Sequence, residues 1–145
     1  MKRGRDMDRR NSLQGLSGLL LLLLIGSLVL AACGSSATSK PATVQLLTPV
    51  GYENAFGAGQ THMLIDVRTI EEFAGGHIDG SVNIPVESLS ERLDEVPRDV
   101  PIVVYCRTGN RSATAASILV DAGYAPVYDL GGIQAWIAAG YPIVR

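Results

Sequence analysis

The chain is sparing with the residues that build disulfides and metal centres: its 145 residues include two cysteines, Cys33 and Cys106, and two histidines, His62 and His77. At most one internal disulfide could form, which excludes a disulfide-stapled scaffold. Two separated histidines do not make a metal site, so neither a metal nor another cofactor is expected. His62 has no partner in its neighbourhood and is expected at the surface, whereas His77, in a glycine-flanked turn, is expected to be a hydrogen-bonded turn residue. The single tryptophan, Trp136, is expected in the core on the last helix. A basic stripe is also missing: the formal net charge is −2, and an acidic chain without such a stripe is a poor nucleic-acid binder. Internal repeats are absent, and the length suits one ordinary domain.

Long apolar runs are confined to the N-terminus. Residues 1–32, MKRGRDMDRRNSLQGLSGLLLLLLIGSLVLAA, place a basic head before a leucine-rich stretch, the layout of an export signal. Leu30, Ala31 and Ala32 then lead into Cys33, which resembles the lipobox of bacterial lipoproteins. That resemblance implies diacylglycerol on the Cys33 sulfur and cleavage before it. An uncleaved anchor over Leu16–Ala32 is the alternative; at about 1.5 Å per residue it is ~25 Å long, short for a ~30 Å hydrocarbon core. Plain secretory cleavage is a third reading. All three put the folded part outside the cytoplasm, because the positive head stays inside. The expected address is the bacterial cell envelope: lipid-anchored on the outer face of the plasma membrane or periplasmic.

Residues 33–42 read as the lipidated N-terminus and a small, polar, proline-ended tether, and residues 43–145 as the domain. The signal holds five basic and two acidic residues of the chain's 12 and 14, so the remainder carries seven and twelve, a charge of −5. With Cys33 acylated or removed, Cys106 has no partner in its own chain.

Within the domain, short apolar runs alternate with helical patterns. Strands are expected at TVQLL, MLIDV, SVNIP, PIVVY and APVYDL, and helices at PVGYENAFGAG, TIEEFAGG, SATAASILVDAG and IQAWIAAG. A further amphipathic helix is expected over residues 86–96, its apolar stripe being Val86, Leu89, Leu93 and Val96. Such alternation predicts βαβ units and a parallel sheet covered by helices on both faces, an α/β domain.

Cys106 follows PIVVY directly, and the next helix is expected to begin near Arg111 or Ser112. In an open parallel sheet, ligands sit outside the carboxyl ends of the strands. A sulfur there meets the unpaired amides and dipole of a helix N-terminus, which favour a thiolate. Arg107 and Arg111 flank it, and Gly109 can take the positive φ that curls successive amides toward one point. A buried core cysteine would not call for two arginines and a glycine in the next five residues.

CRTGNRS after PIVVY resembles the active-site loop of the rhodanese family. LIDVRTIEEFAGGHIDGSVNIP resembles the family's upstream segment, and VYDLGGIQAWIAAGYPI its closing segment, so the likeness spans residues 60–143 in order. It implies a small five-stranded parallel sheet and sulfur-transfer chemistry. In that chemistry Cys106 takes the outer sulfur of a small anionic donor, such as thiosulfate, and yields it to an external thiol or cyanide. The amides of Arg107, Thr108, Gly109, Asn110 and Arg111 would stabilise the sulfur anion, the two guanidinium groups would attract the donor, and Asp66 and Arg68 would support the loop. A non-turnover persulfide carrier or partner-binding module is the alternative. Phosphatases and arsenate reductases place five residues between cysteine and arginine; here only RTGN intervenes, a tighter ring that suits one sulfur atom. Ser81 stands where the family often has alanine.

Overall fold

A computed structural model describes residues 43–145; the signal at 1–32, Cys33 and the tether at 33–42 lie outside the described residues. Five strands form the sheet: β1 (Val44–Leu46), β2 (Met63–Asp66), β3 (Val82–Asn83), β4 (Ile102–Cys106) and β5 (Val127–Gly132). Their order is β1-β5-β4-β2-β3, and every pairing is parallel. The helices are α1 (Pro49–Phe56), α2 (Ile70–Ala74), α3 (Val86–Leu89), α4 (Asn110–Asp121) and α5 (Ile133–Ala138). The expected α/β architecture is present.

Strand β4 explains the arrangement. IVVYC is buried at all five positions, as befits a parallel strand flanked by strands on both edges and helices on both faces. Alternation sends Ile102, Val104 and Cys106 toward a core shared with Leu89, Ala115, Ala116 and Leu119 of α3 and α4. Val103 and Tyr105 point the other way, into a core with Tyr52 and Phe56 of α1 and Ile133 and Trp136 of α5. Cys106 is thereby committed to the α4 face. Trp136 is 4 % exposed, as expected for a core residue.

Local chemistry starts the helices. Thr48 accepts from the Gly51 amide and Pro49 opens α1, which matches proline's fixed φ and missing donor. Thr69 and Glu72 form a reciprocal capping box on α2. Helix α4 begins at Asn110, a residue earlier than expected, after Gly109 in the left-handed region at φ 113°.

Two expectations need correction. The amphipathic stretch 86–96 is not one helix: α3 ends at Leu89 and a separate 3-10 turn covers Leu93–Glu95. The apolar positions still face inward, with Leu89 and Val96 buried, but the Tyr124 hydroxyl donates to the carbonyls of Leu93 and Val96 at 2.6 and 3.2 Å. Those tertiary bonds, with Ser88 turned back onto the Pro85 carbonyl, compete with a continuous helical ladder. His62 is half-buried rather than free at the surface. Its ring lies 4.4 Å from that of Phe56, its Nε2 bonds the Tyr52 hydroxyl at 2.8 Å, and its Nδ1 bonds the Gln60 carbonyl at 2.7 Å. Burial pushes the Tyr52 hydroxyl up to about 12, with the Glu53 charge adding to the effect.

Candidate active site

Cys106 is the last residue of β4 and 1 % exposed. Arg107, Thr108 and Gly109 carry the chain from there into α4. The positive φ of Gly109 turns its amide back, and that N–H donates to Cys106 Sγ at 3.1 Å. Burial, the strongest single influence, raises the thiol pKa. The amides of Gly109, Ser112 and Thr108, with the Ser112 hydroxyl, outweigh it and hold the thiol below its ordinary range. Convergent N–H groups favour the anion because each offers a donor that a neutral thiol uses poorly.

Ser112 belongs to this cradle and was not singled out by the sequence. Its hydroxyl is buried, lies 3.7 Å from Sγ, and donates to the Gly109 and Gly131 carbonyls at 2.9 and 3.2 Å. One proton serves both acceptors, so the serine ties the loop to the end of β5. Gly132 makes the approach closer still: a Cβ there would sit 2.6 Å from the Arg107 carbonyl oxygen and 2.7 Å from Thr108 Cα. The Gly131 amide is held by Asp129 Oδ1 at 2.8 Å. Adjacent glycines were visible in the sequence, but not that the loop rests on them.

The two arginines of the loop differ. Arg111 is half-exposed and gives both terminal nitrogens to Glu72, at 2.7 and 2.9 Å. Arg107 is exposed and makes no ion pair among the described residues. Arg111 therefore meets any incoming anion with its charge already matched. Glu72 is a second residue the sequence did not single out; Thr69-x-x-Glu72 signals a capping box, but nothing local signals a partner 39 positions away.

Asp66 and Arg68 stand as a buried pair beside the loop. Arg68 donates to Asp66 through Nε and Nη2, the shortest contact being 2.6 Å, and to the Gly76 carbonyl at 2.8 Å. The Arg68 guanidinium lies 5.8 Å from the centroid of the Tyr105 ring, and the Asn83 amide donates to the carbonyls of Asp66 and Arg68. Ser81 bonds the Tyr105 hydroxyl at 2.9 Å, and that hydroxyl accepts from the Ile78 amide at 3.1 Å. His77 is a turn residue as expected, stacked on Phe73 at 3.8 Å with Nδ1 bonded to the Phe73 carbonyl. Thr108 and Asn110 point outward from the loop and are exposed. A groove of about 330 Å³ borders the loop; Arg68, Glu72, Arg107, Ile133, Ile137 and Ile143 are among its lining residues, and Cys106 is not. No group of three or more metal-binding side chains occurs among the described residues.

The geometry has close relatives. The family described as Rhodanese-like domain matches residues 48–139. A sulfurtransferase of Allochromatium vinosum is 42 % identical over 83 residues, covering 57 % of this chain and 78 % of its own. Thiosulfate sulfurtransferase GlpE of Pseudomonas savastanoi pv. phaseolicola is 38 % identical over 84 residues, covering 57 % and 78 %. The crystal structure of a rhodanese-related protein from Thermoplasma volcanium superposes with a TM-score of 0.62 at 36 % identity, covering 69 % of this chain and 97 % of that one. With the sheet order, the loop after β4 and a match over more than half its length, the chain belongs to the rhodanese-like family.

Proposed function

We propose that this domain is a sulfurtransferase that moves a sulfane sulfur through a persulfide on Cys106. The donor is a small anion of the thiosulfate kind and the acceptor an external thiol or cyanide. The Cys106 thiolate attacks the outer sulfur of the donor; the donor's S–S bond breaks and sulfite leaves with the electron pair. An acceptor thiolate then attacks the outer sulfur of the persulfide, and Sγ departs as the thiolate it was at the start. The observation that carries this reading is the Gly109 amide 3.1 Å from a sulfur whose thiol is held low at the start of α4. Family membership and relatives named as sulfurtransferases support it.

Within this reading Arg107 to Arg111 form the persulfide cradle and Asp66 with Arg68 its frame. The tight four-residue loop RTGN stands against a phosphatase or arsenate reductase. Cys33 bears the lipid, and the domain works outside the cytoplasm at the membrane surface. Burial of Cys106 favours one variation, a carrier that loads one sulfur and releases it only to a docked partner thiol.

Mass spectrometry after incubation with thiosulfate should show one added sulfur atom on Cys106, and Cys106→Ser should abolish transfer to cyanide. An unmodified thiol would sink the proposal. Multiple turnover on small thiols separates the enzyme from the carrier. Substituting Cys33 should release the domain from membranes, whereas an uncleaved anchor would hold it there.

A further inference from the structure

Two independent features of the mouth of the site bear on the donor. The first is charge. Of the three arginines around the loop, Arg68 is matched by Asp66 and Arg111 by Glu72. Arg107 alone is unpaired among the described residues, so the mouth presents one net cation where thiosulfate brings two negative charges. The second is shape. The groove beside Arg107 is walled by Ile133, Ile137 and Ile143, and Ile137 is 50 % exposed. An inorganic dianion has no apolar part to cover these isoleucines, whereas about 300 Å³ and upward is the ordinary scale of a small-molecule site.

Resting on the sulfurtransferase reading, we infer that the preferred donor is an organic hydropersulfide with a single carboxylate. Its carbon chain lies along the isoleucines and its carboxylate against Arg107, and Glu72 sets this preference by neutralising Arg111. The Cys106 thiolate attacks the outer sulfur of R–S–SH. The donor's S–S bond breaks, RS⁻ leaves with the electron pair, and Cys106 carries the –SH. The sulfane oxidation level travels with the transferred atom, so no oxidant or reductant takes part. Glu72 is here a positioning residue, acting on the donor through Arg111.

The test measures the rate of Cys106 persulfide formation from N-acetylcysteine hydropersulfide and from thiosulfate, with Cys106→Ser as the blank. Wild-type protein should load faster from the hydropersulfide. Glu72→Gln keeps a capping-box side chain while removing the charge; it should speed thiosulfate loading on the order of fivefold and leave the hydropersulfide rate nearly unchanged. Ile137→Glu, at a half-exposed position, should raise the KM for the hydropersulfide about tenfold and spare its kcat. A thermal melt confirms that each variant is folded. Faster loading of the wild type from thiosulfate, or variants that shift both donors alike, overturns the inference and leaves the sulfurtransferase reading intact. Absence of a Cys106 adduct from either donor overturns both.

Discussion

The Glu72 carboxylate receives both terminal nitrogens of the Arg111 guanidinium, at 2.7 and 2.9 Å. The oxygen at 2.7 Å also accepts the Thr69 amide, at 3.2 Å. One carboxylate thus closes the N-terminus of α2 and holds the first turn of α4, where the cysteine loop ends. Bidentate pairing of this kind fixes direction as well as distance. Motion of α2 is thereby coupled to the position of the loop.

Acid stability should report the pair. Hydrogen bonding to Arg111 dominates over opposing burial and, with the Thr69 amide and the charges of Arg111 and Arg68, lowers the Glu72 carboxyl to about 2. A depressed folded pKa contributes stability that is fully present above the ordinary carboxylate range and is lost as pH falls toward about 2. Urea melts from neutral pH down to that range should show a shallower decline for Glu72→Gln than for wild type.

Persulfide formation should remain fast at pH values where a free cysteine is mostly protonated, because the thiol of Cys106 is lowered. Ser112→Ala removes one of the stabilising hydrogen bonds, so the midpoint of the pH–rate profile should move upward. An unchanged midpoint would show that the backbone amides set the thiolate alone.

Gly132→Ala forces a Cβ against the backbone of Arg107 and Thr108, neither of which can rotate away. Expected costs are about 1–3 kcal/mol in a denaturant melt and, for ~1 Å of loop displacement, a loading rate reduced on the order of a hundredfold.

Tyr105→Phe deletes the acceptor of the Ile78 amide while leaving the ring's packing. The orphaned N–H should lower stability by about 1–3 kcal/mol, with Cys106 loading retained in the folded protein. Ser81→Ala, which leaves that amide satisfied, should cost about 1 kcal/mol or less.

Arg68→Ala strands the Asp66 carboxylate, which is fully buried. Loss of stability should reach roughly 3–5 kcal/mol, and replacing both partners by apolar residues should restore much of it. Equal losses in the single and double variants would mean that the bond from Arg68 to the Gly76 carbonyl carries the effect instead.

Much of this was legible along the chain. IVVYC reads as a fully buried parallel strand because β-branched residues run without a polar break. Thr69 three positions before Glu72 announces a helix start, and CRTGNRS places a thiol beside amides and a glycine free to adopt positive φ. Residues 86–96 show the limit: their 3.6-residue period was real, yet the Tyr124 hydroxyl, from another element, interrupts the helix it implies. His62 likewise finds Tyr52 and Phe56 only when the chain returns over α1.

The sequence by itself determined the alternation of strands and helices, the caps, and a cysteine at the carboxyl end of the central strand. These depend on side-chain period and on hydrogen bonds between residues a few positions apart. Tertiary structure alone decided that Arg111 is neutralised by Glu72, that Gly132 supports the loop, and that Arg107 is left facing an isoleucine-lined groove. Those contacts join residues about 25 to 70 positions apart, and packing, not local pattern, selects such partners.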